Sequence, residues 1–332
     1  MFKRTKWTID VILLLFLGLI ILWLYLADFG KKQSAVFGIT FSQKYATSLN
    51  LDWRKVLTGL LDELGVRQFR VVAYWDLLEQ QPNNYDFTDL DWQISQIEQR
   101  GGQVVLAMGN RVPRWPECHW PSWAYQYNEV DRQNQILTLL NTIVSRYQTR
   151  PGIIAWQVEN EPFLKIFGEC PKSDLSFYKK EIALIKSLDA RPVIITESGE
   201  LSTWLRGGKW SDWLGVSVYR ITWNKLFGYF YYPLPPAYYY LKGELVKFIT
   251  GVDKVFVSEM QMEPWLSMPI LNVPLSDQMH SMNLDKFKNN LAYIKRTGLS
   301  PVYLWGAEWW YWLREQGDSS IWNEALDIWK QF

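Results

Sequence analysis

The chain has 332 residues, with 35 basic against 34 acidic side chains and a formal charge of +1, which leaves no electrostatic footprint for nucleic acid or another polyanion. That length is enough for one large domain or two small ones with a substantial core. Aromatic content is high, at 20 Trp, 18 Tyr and 16 Phe, so flat stacking surfaces belong among the expected functional features.

The N-terminus reads "MFKRTKWTIDVILLLFLGLIILWLYLAD". Residues 11–27 carry no charge, Lys3, Arg4 and Lys6 precede them, and Trp7, Trp23 and Tyr25 stand near the two ends as an interfacial belt would. The pattern predicts a basic cytoplasmic tail over 1–10, a single transmembrane signal anchor over 11–27, a short linker over 28–34, and a domain at 35–332 outside the cytoplasm. A cleaved signal peptide is the alternative. The run is longer than a usual h-region and no A-x-A site follows it, which favours the anchor.

Beyond the linker, short Val- and Ile-rich runs alternate with segments of helical period, the mark of repeated βα units. Strands are expected at 35–42, 68–75, 103–109, 152–159, 192–197, 213–219, 254–259 and 301–306. The helical stretches between them include "LDWRKVLTGLLDELG", "NQILTLLNTIVSRYQ" and "LDKFKNNLAYIKRTG", with apolar residues recurring at three and four. Eight such units fit an α/β fold of the closed (β/α)8 TIM-barrel type. A doubly wound open sheet is the runner-up, weakened because "GITFSQKY" after the first strand lacks a glycine-rich phosphate turn. Neither a Pro- or Gly-rich linker nor a longer repeat divides the domain.

In such barrels chemistry sits at the C-terminal ends of the strands. Strand four ends with Asn160 and Glu161, strand seven with Glu259 and strand six with Tyr219, while strand two carries Arg70 and strand eight contributes Trp305. Glutamates on strands four and seven face each other across the mouth. Retaining glycoside hydrolysis needs such a pair, with carboxyls ~5 to 5.5 Å apart, one protonating the leaving oxygen while the other attacks the anomeric carbon. In this reading Asn160 bonds the hydroxyl beside the reacting carbon, and partial desolvation keeps Glu161 protonated.

"WQVENEPF" at 156–163 resembles the strand-four Asn-Glu-Pro signature of glycoside hydrolase clan A, the retaining barrel glycosidases, and the resemblance runs from residue 35 to the end. It implies Glu161 as acid/base and Asn160 as the 2-hydroxyl partner. "KVFVSEMQ" resembles the clan's strand-seven segment, implying Glu259 as nucleophile, and "FRVVAYWDLLEQQPNNYDFTDLD" places Arg70 beside it. "VSVYR" puts Tyr219 where the clan often has a tyrosine bonded to the nucleophile, and "YLWGAEWW" puts Trp305 where an aromatic floors the sugar site. The chain departs from branches that carry a histidine at the end of strand three, having Gly109, Asn110 and Arg111 there, so branch and sugar stay open.

Asn110 and Trp115 are further candidates for substrate contact. Glu197, Glu200 and Glu308 are assigned supporting or loop roles, Glu263 lies four residues beyond the nucleophile position, and His119 and His280 are expected to be surface or loop histidines. Cys118 and Cys170 fall in the loops after strands three and four, neighbours on the rim, where a disulfide bracing the cleft is expected in an oxidising compartment. No metal-ligand spacing occurs, so no metal or cofactor is expected. The aromatic segment 226–241 is too long for an ordinary connection and is expected to contact glycan, pointing away from a membrane that faces the barrel floor. The sequence thus predicts a membrane-anchored retaining glycosidase acting on an oligo- or polysaccharide, with no nucleic acid and no obligate protein partner. A transglycosylase of the same architecture and a non-catalytic glycan-binding barrel are the rivals.

Overall fold

The computed structural model describes residues 2–32, 34–171, 174–226 and 228–330, with side chains from residue 10 onward except at Lys32. Ten strands follow in chain order: β1 (Phe37–Phe41), β2 (Gln68–Val72), β3 (Gln103–Met108), β4 (Ile153–Val158), β5 (Val193–Glu197), β6 (Trp213–Val218), β7 (Ile221–Asn224), β8 (Gly228–Tyr231), β9 (Lys254–Gln261) and β10 (Val302–Trp305). Eight of them close into a parallel barrel in the order β1-β10-β9-β6-β5-β4-β3-β2, while β7 and β8 form a separate antiparallel hairpin. This is the expected TIM barrel.

The helices outside the barrel form for local reasons. Helix Glu129–Tyr147 starts where the Asn128 side chain accepts from Asp131 N at 3.0 Å, and Ile136, Leu139, Leu140, Ile143 and Val144 fall on the one face it buries. The main core lies between such faces and the outer side of the strands. Inside the barrel, a lower layer of Val105, Ala155, Ile194, Phe256 and Tyr303 fills the lumen. Gly38 makes room for it, since a Cβ there would lie 2.6 Å from the Gln68 carbonyl and 2.9 Å from the Tyr303 ring. Above this layer the strands carry the buried polar side chains Thr40, Arg70, Gln157, Thr196 and Ser217. The lumen therefore changes from apolar floor to polar mouth.

Two expectations change. The segment 226–241 is not one loop: part of it forms β8, and from Pro236 it is helix Pro236–Thr250, while Phe227 lies outside the described residues. Nor does all of it point away from the N-terminal helix, Phe2–Leu26, because Tyr25 donates through its hydroxyl to the Pro233 carbonyl at 2.6 Å and Phe29 stacks on Tyr240 with centroids 4.0 Å apart. His119 lies in a loop, one of the two placements expected, and is buried there, with Nε2 3.0 Å from the Arg114 carbonyl and Nδ1 2.9 Å from Lys44 Nζ. His280 is exposed, as expected.

Among the described residues no helix is long and apolar enough to cross a membrane. The part of the N-terminal helix with described side chains, residues 10–26, is about 25 Å long at 1.5 Å per residue, short of a ~30 Å hydrocarbon core. The side chains of Lys3, Arg4, Lys6 and Trp7 lie outside the described set.

The packing around Gly38 makes a direct prediction. Gly38→Ala is expected to destabilise the fold by roughly 1–3 kcal/mol through overpacking, and an unchanged urea midpoint would show that Tyr303 and the first strand yield without cost.

Candidate active site

The turn after β4 carries the densest polar chemistry, and its backbone is unusual: Glu159 has φ 58° and Glu161 has φ 43°, both in the left-handed region that non-glycine residues seldom occupy. The two neighbouring carboxyls have separate tasks. Glu159 accepts the backbone N–H groups of Asn110 and Arg111, each at 2.7 Å, and so clamps the turn after β3 to the turn after β4. Gly109, at φ +128°, is the residue that lets it in, because a Cβ there would stand 2.5 Å from the Glu159 carboxylate. Glu161 instead turns toward the lumen, where Ser217 Oγ donates to its Oε1 at 2.8 Å while its backbone N–H donates to Thr196 Oγ1 at 2.9 Å.

Glu259, on β9, is held from two sides. Arg70 Nη1 donates to Oε1 at 2.8 Å and the Tyr219 hydroxyl donates to Oε2 at 2.9 Å. Ser217 and Tyr219 are two residues apart on one face at the end of β6, so a single strand end contacts both glutamates. Arg70, fully buried, also donates through Nε to Gln157 Oε1 at 2.6 Å and through Nη2 to Asn160 Oδ1 at 2.7 Å.

The two carboxyls sit in different fields. Burial pushes Glu161 up to about 8, and the charge of Glu259 adds to the rise. Glu259, by contrast, has a guanidinium in direct contact. Burial followed by that same Glu259 charge raises the Tyr219 phenol well above its ordinary value, so it remains a donor. Glu117, from the loop after β3, accepts Asn160 Nδ2 at 2.9 Å, and burial lifts it to about 8. The arrangement places one protonated and one ion-paired carboxyl at the same lumen mouth, the division of labour that acid/base and nucleophilic steps require.

Other expected site residues are placed as follows. Asn160 is buried, and besides Arg70 and Glu117 it meets Thr196 Oγ1 at 3.1 Å, so its amide knits the site together from within. Asn110 faces its own loop, accepting from Trp120 Nε1 and donating to Cys118 Sγ at 3.4 Å. Trp305 is buried, and the Arg114 guanidinium lies 4.0 Å from its ring and 3.7 Å from that of Tyr45. One face of the expected sugar floor is thus covered by a cation. Arg114 also pairs with Glu263 and, at 3.2 Å, with Glu308. Trp115 is 59% exposed on the rim, edge-on to Phe167, which leads through Trp265 down to Tyr219 with centroid separations of 5.7, 5.6 and 5.0 Å.

Cys118 and Cys170 form a disulfide joining the loops after β3 and β4. Glu197 caps the following helix by accepting Trp204 N and Gly207 N at 3.1 and 2.6 Å, and Glu200 accepts Tyr219 N at 2.8 Å and the Tyr239 hydroxyl at 2.7 Å. Gln157, Thr196, Ser217, Glu117, Arg114 and Trp265 are the site residues that sequence reading passed over. The period of two along β6 pointed to Ser217 from Tyr219; the loop residues had no such signal.

No protein-family model matches the chain. A probable mannan endo-1,4-β-mannosidase A-2 from Aspergillus terreus is 25% identical over 146 residues, 38% of this chain and 36% of that protein. A catalytic mutant of a GH42 β-galactosidase from G. stearothermophilus superposes with a TM-score of 0.60 at 13% identity, covering 89% of this chain and 56% of that one. A GH5_18 protein from Bifidobacterium longum, solved with Manβ1-4GlcNAc, gives 0.58 at 12% identity over 82% of this chain and 68% of that one. The chain thus shares its barrel with solved glycoside hydrolases of the GH5 and GH42 kinds, and it spans little more than a third of its curated relative.

Two outcomes test the electrostatics. Glu259→Gln is expected to lower the titration point of Glu161, read by carboxyl 13C NMR, whereas an unmoved value would leave burial as the sole cause. Glu117, Glu159, Glu161, Glu200 and Glu308 are all raised, to about 7 or 8, so the native state holds protons that the unfolded chain has already released. That stabilisation is complete below the unfolded value of about 4.3 and is lost as pH climbs through 7 and 8. The melting temperature should therefore fall from pH 5 to pH 8, and a flat or rising curve would contradict it.

Proposed function

We propose that this chain is a retaining glycoside hydrolase of β-linked glycans, with Glu161 as acid/base and Glu259 as nucleophile. The observation that carries the reading is the contrast between the two carboxyls: Glu161 buried and raised to about 8, Glu259 held by Arg70 and Tyr219. The mannosidase relative and the barrels of the β-galactosidases support it.

In the first step Glu161 gives its proton to the leaving oxygen as Glu259 attacks the anomeric carbon, breaking the glycosidic bond and forming a glycosyl ester. In the second, Glu161, now ionised, takes a proton from water, whose oxygen displaces Glu259. Arg70 pairs with Glu259 and orients it for attack, and the neutralisation of Glu259 in the ester lowers the affinity of Glu161 for its proton, which suits its change from acid to base. The aromatic path from Trp115 through Phe167 and Trp265 offers stacking surfaces for sugar rings beyond the reacting one.

The reading includes a membrane anchor over residues 11–27 with the barrel outside the cytoplasm. Supporting it, Leu13, Leu14, Leu15, Phe16 and Leu19 are each at least 60% exposed, an apolar stretch of helix open to its surroundings. The disulfide fits an oxidising compartment.

The test is turnover of aryl β-glycosides by the full chain in detergent. Glu259→Ala with azide should yield a glycosyl azide of inverted anomeric configuration, and Glu161→Ala should lose ~10²–10⁴-fold on poor leaving groups and less on activated ones. Glycan binding without turnover would favour a non-catalytic barrel, and products lengthened by an acceptor sugar would favour a transglycosylase.

A further inference from the structure

Helix Pro236–Thr250 follows the hairpin and runs along the outside of the barrel between β6 and β9. Its inner side is accounted for. Ala237, Tyr239, Gly243 and Val246 are buried, and Gly243 faces the side chains of Leu299 and Val255. Its outer side is also apolar. Leu241, Leu245, Phe248 and Ile249, spaced as one helical face, are 40%, 56%, 87% and 56% exposed. The charges among them, Glu244 and Lys247, neutralise each other as an ion pair. A surface helix normally turns polar residues outward, so this face is built for something other than water.

The position of the N-terminal helix says what covers it. The C-terminal end of that helix docks at the start of helix Pro236–Thr250, through the Tyr25 hydroxyl on the Pro233 carbonyl and the stack of Phe29 on Tyr240. Arg296 fixes the exit, donating to the Ala27 carbonyl at 3.2 Å and accepting Phe29 N at 3.0 Å. The exposed apolar side chains of the N-terminal helix and of Leu241, Leu245 and Phe248 thus occur on two elements in direct contact.

We infer that the outer face of helix Pro236–Thr250 is a lipid-contacting surface that lies in the headgroup and upper acyl region beside the anchor. The inference rests on the anchoring reading proposed above and goes further, because it sets the orientation of the domain. A barrel-flanking helix runs roughly along the barrel wall from mouth to floor, so seating its outer face on the bilayer lays the barrel on its side. The mouth with Glu161 and Glu259 then opens along the membrane surface, toward glycans carried by or lying against the same membrane, instead of facing straight away from it.

The test uses the full chain in nanodiscs holding one copy each, with a single environment-sensitive thiol probe. Both native cysteines are in the disulfide, so an introduced cysteine is the sole target. A probe at Phe248→Cys is expected to shift to the blue and lose intensity when doxyl-labelled phospholipid is included. A probe at Gln99→Cys, exposed at the end of helix Thr88–Gln99 on the opposite flank, should do neither. Leu17→Cys reports the anchor itself. Quenching at Leu17→Cys with Phe248→Cys as silent as Gln99→Cys overturns the lipid face while leaving the anchor intact; silence at both Leu17→Cys and Phe248→Cys overturns both readings. A Phe248→Cys disulfide dimer formed readily in detergent, with no lipid quenching in single-copy discs, assigns the face to a second copy of the chain and likewise overturns the inference.

Discussion

A guanidinium inside a closed ring of strands is the constraint on which the mouth of this barrel depends. Arg70 has no contact with solvent, so the cost of dehydrating its charge is met only by groups that surround it. Those groups come from three strands: Gln157 and Asn160 from β4 and its turn, Glu259 and the Ser258 carbonyl at 3.4 Å from β9, and Thr40 Oγ1 at 3.5 Å from β1. Removing the side chain of Gln157 or Asn160 would leave a buried guanidinium N–H without its acceptor. Strand positions far apart in sequence are thereby bound to one register, and the apolar layer of Phe256 and Tyr303 beneath supplies the dry floor that makes the pairing strong.

The electrostatic pattern grows outward from that centre. Glu259 balances Arg70, while burial, with the Glu259 charge adding to it, raises Glu161 and Glu117 to about 8, in Glu117 against the opposing pull of Arg111. A second ionic cluster stands on the other side of the mouth, where Arg114 lies between the Tyr45 and Trp305 rings and joins Glu263 to Glu308. Buried carboxyls and the buried guanidinium groups of Arg70, Arg111 and Arg114 thus stand close together, and burial first, then their mutual charges, set the rise at Glu161, Glu117 and Glu308.

The barrel was legible because each strand is a short β-branched run followed by a helical repeat, and the ends of those runs located Glu161 and Glu259. What escaped had physical causes. Strand parity decided between Thr196 and Glu197: the threonine points into the site, and the glutamate points out to cap a helix. Residue type assigns Glu197 a supporting role and leaves Thr196 unremarked. Asn160 and Trp305 sit where the motif puts them, yet their polar atoms and ring face are engaged: Arg70 reaches Asn160 from β2, while Glu117 and Arg114 approach from an irregular loop with no period to read. His119 looked like a loop residue because its loop is irregular, but the disulfide and the fold of 109–127 bring it inside. The aromatic segment at 226–241 misled because its composition fits glycan and helix packing equally well.

Glu159 and Glu161 hold left-handed backbone on either side of Asn160, a conformation that costs of order 1–3 kcal/mol for each such residue. Domains of ordinary stability have only about 5–15 kcal/mol in hand. A noticeable share of the reserve is therefore committed to three adjacent residues, which makes this turn the place where selection for robustness and selection for chemistry pull in opposite directions. Substitutions that relax the turn would make a sturdier barrel while carrying Glu161 out of reach of Ser217. The lineage is thus expected to have gained tolerance elsewhere, in its helices and outer loops, and to have left this corner strained.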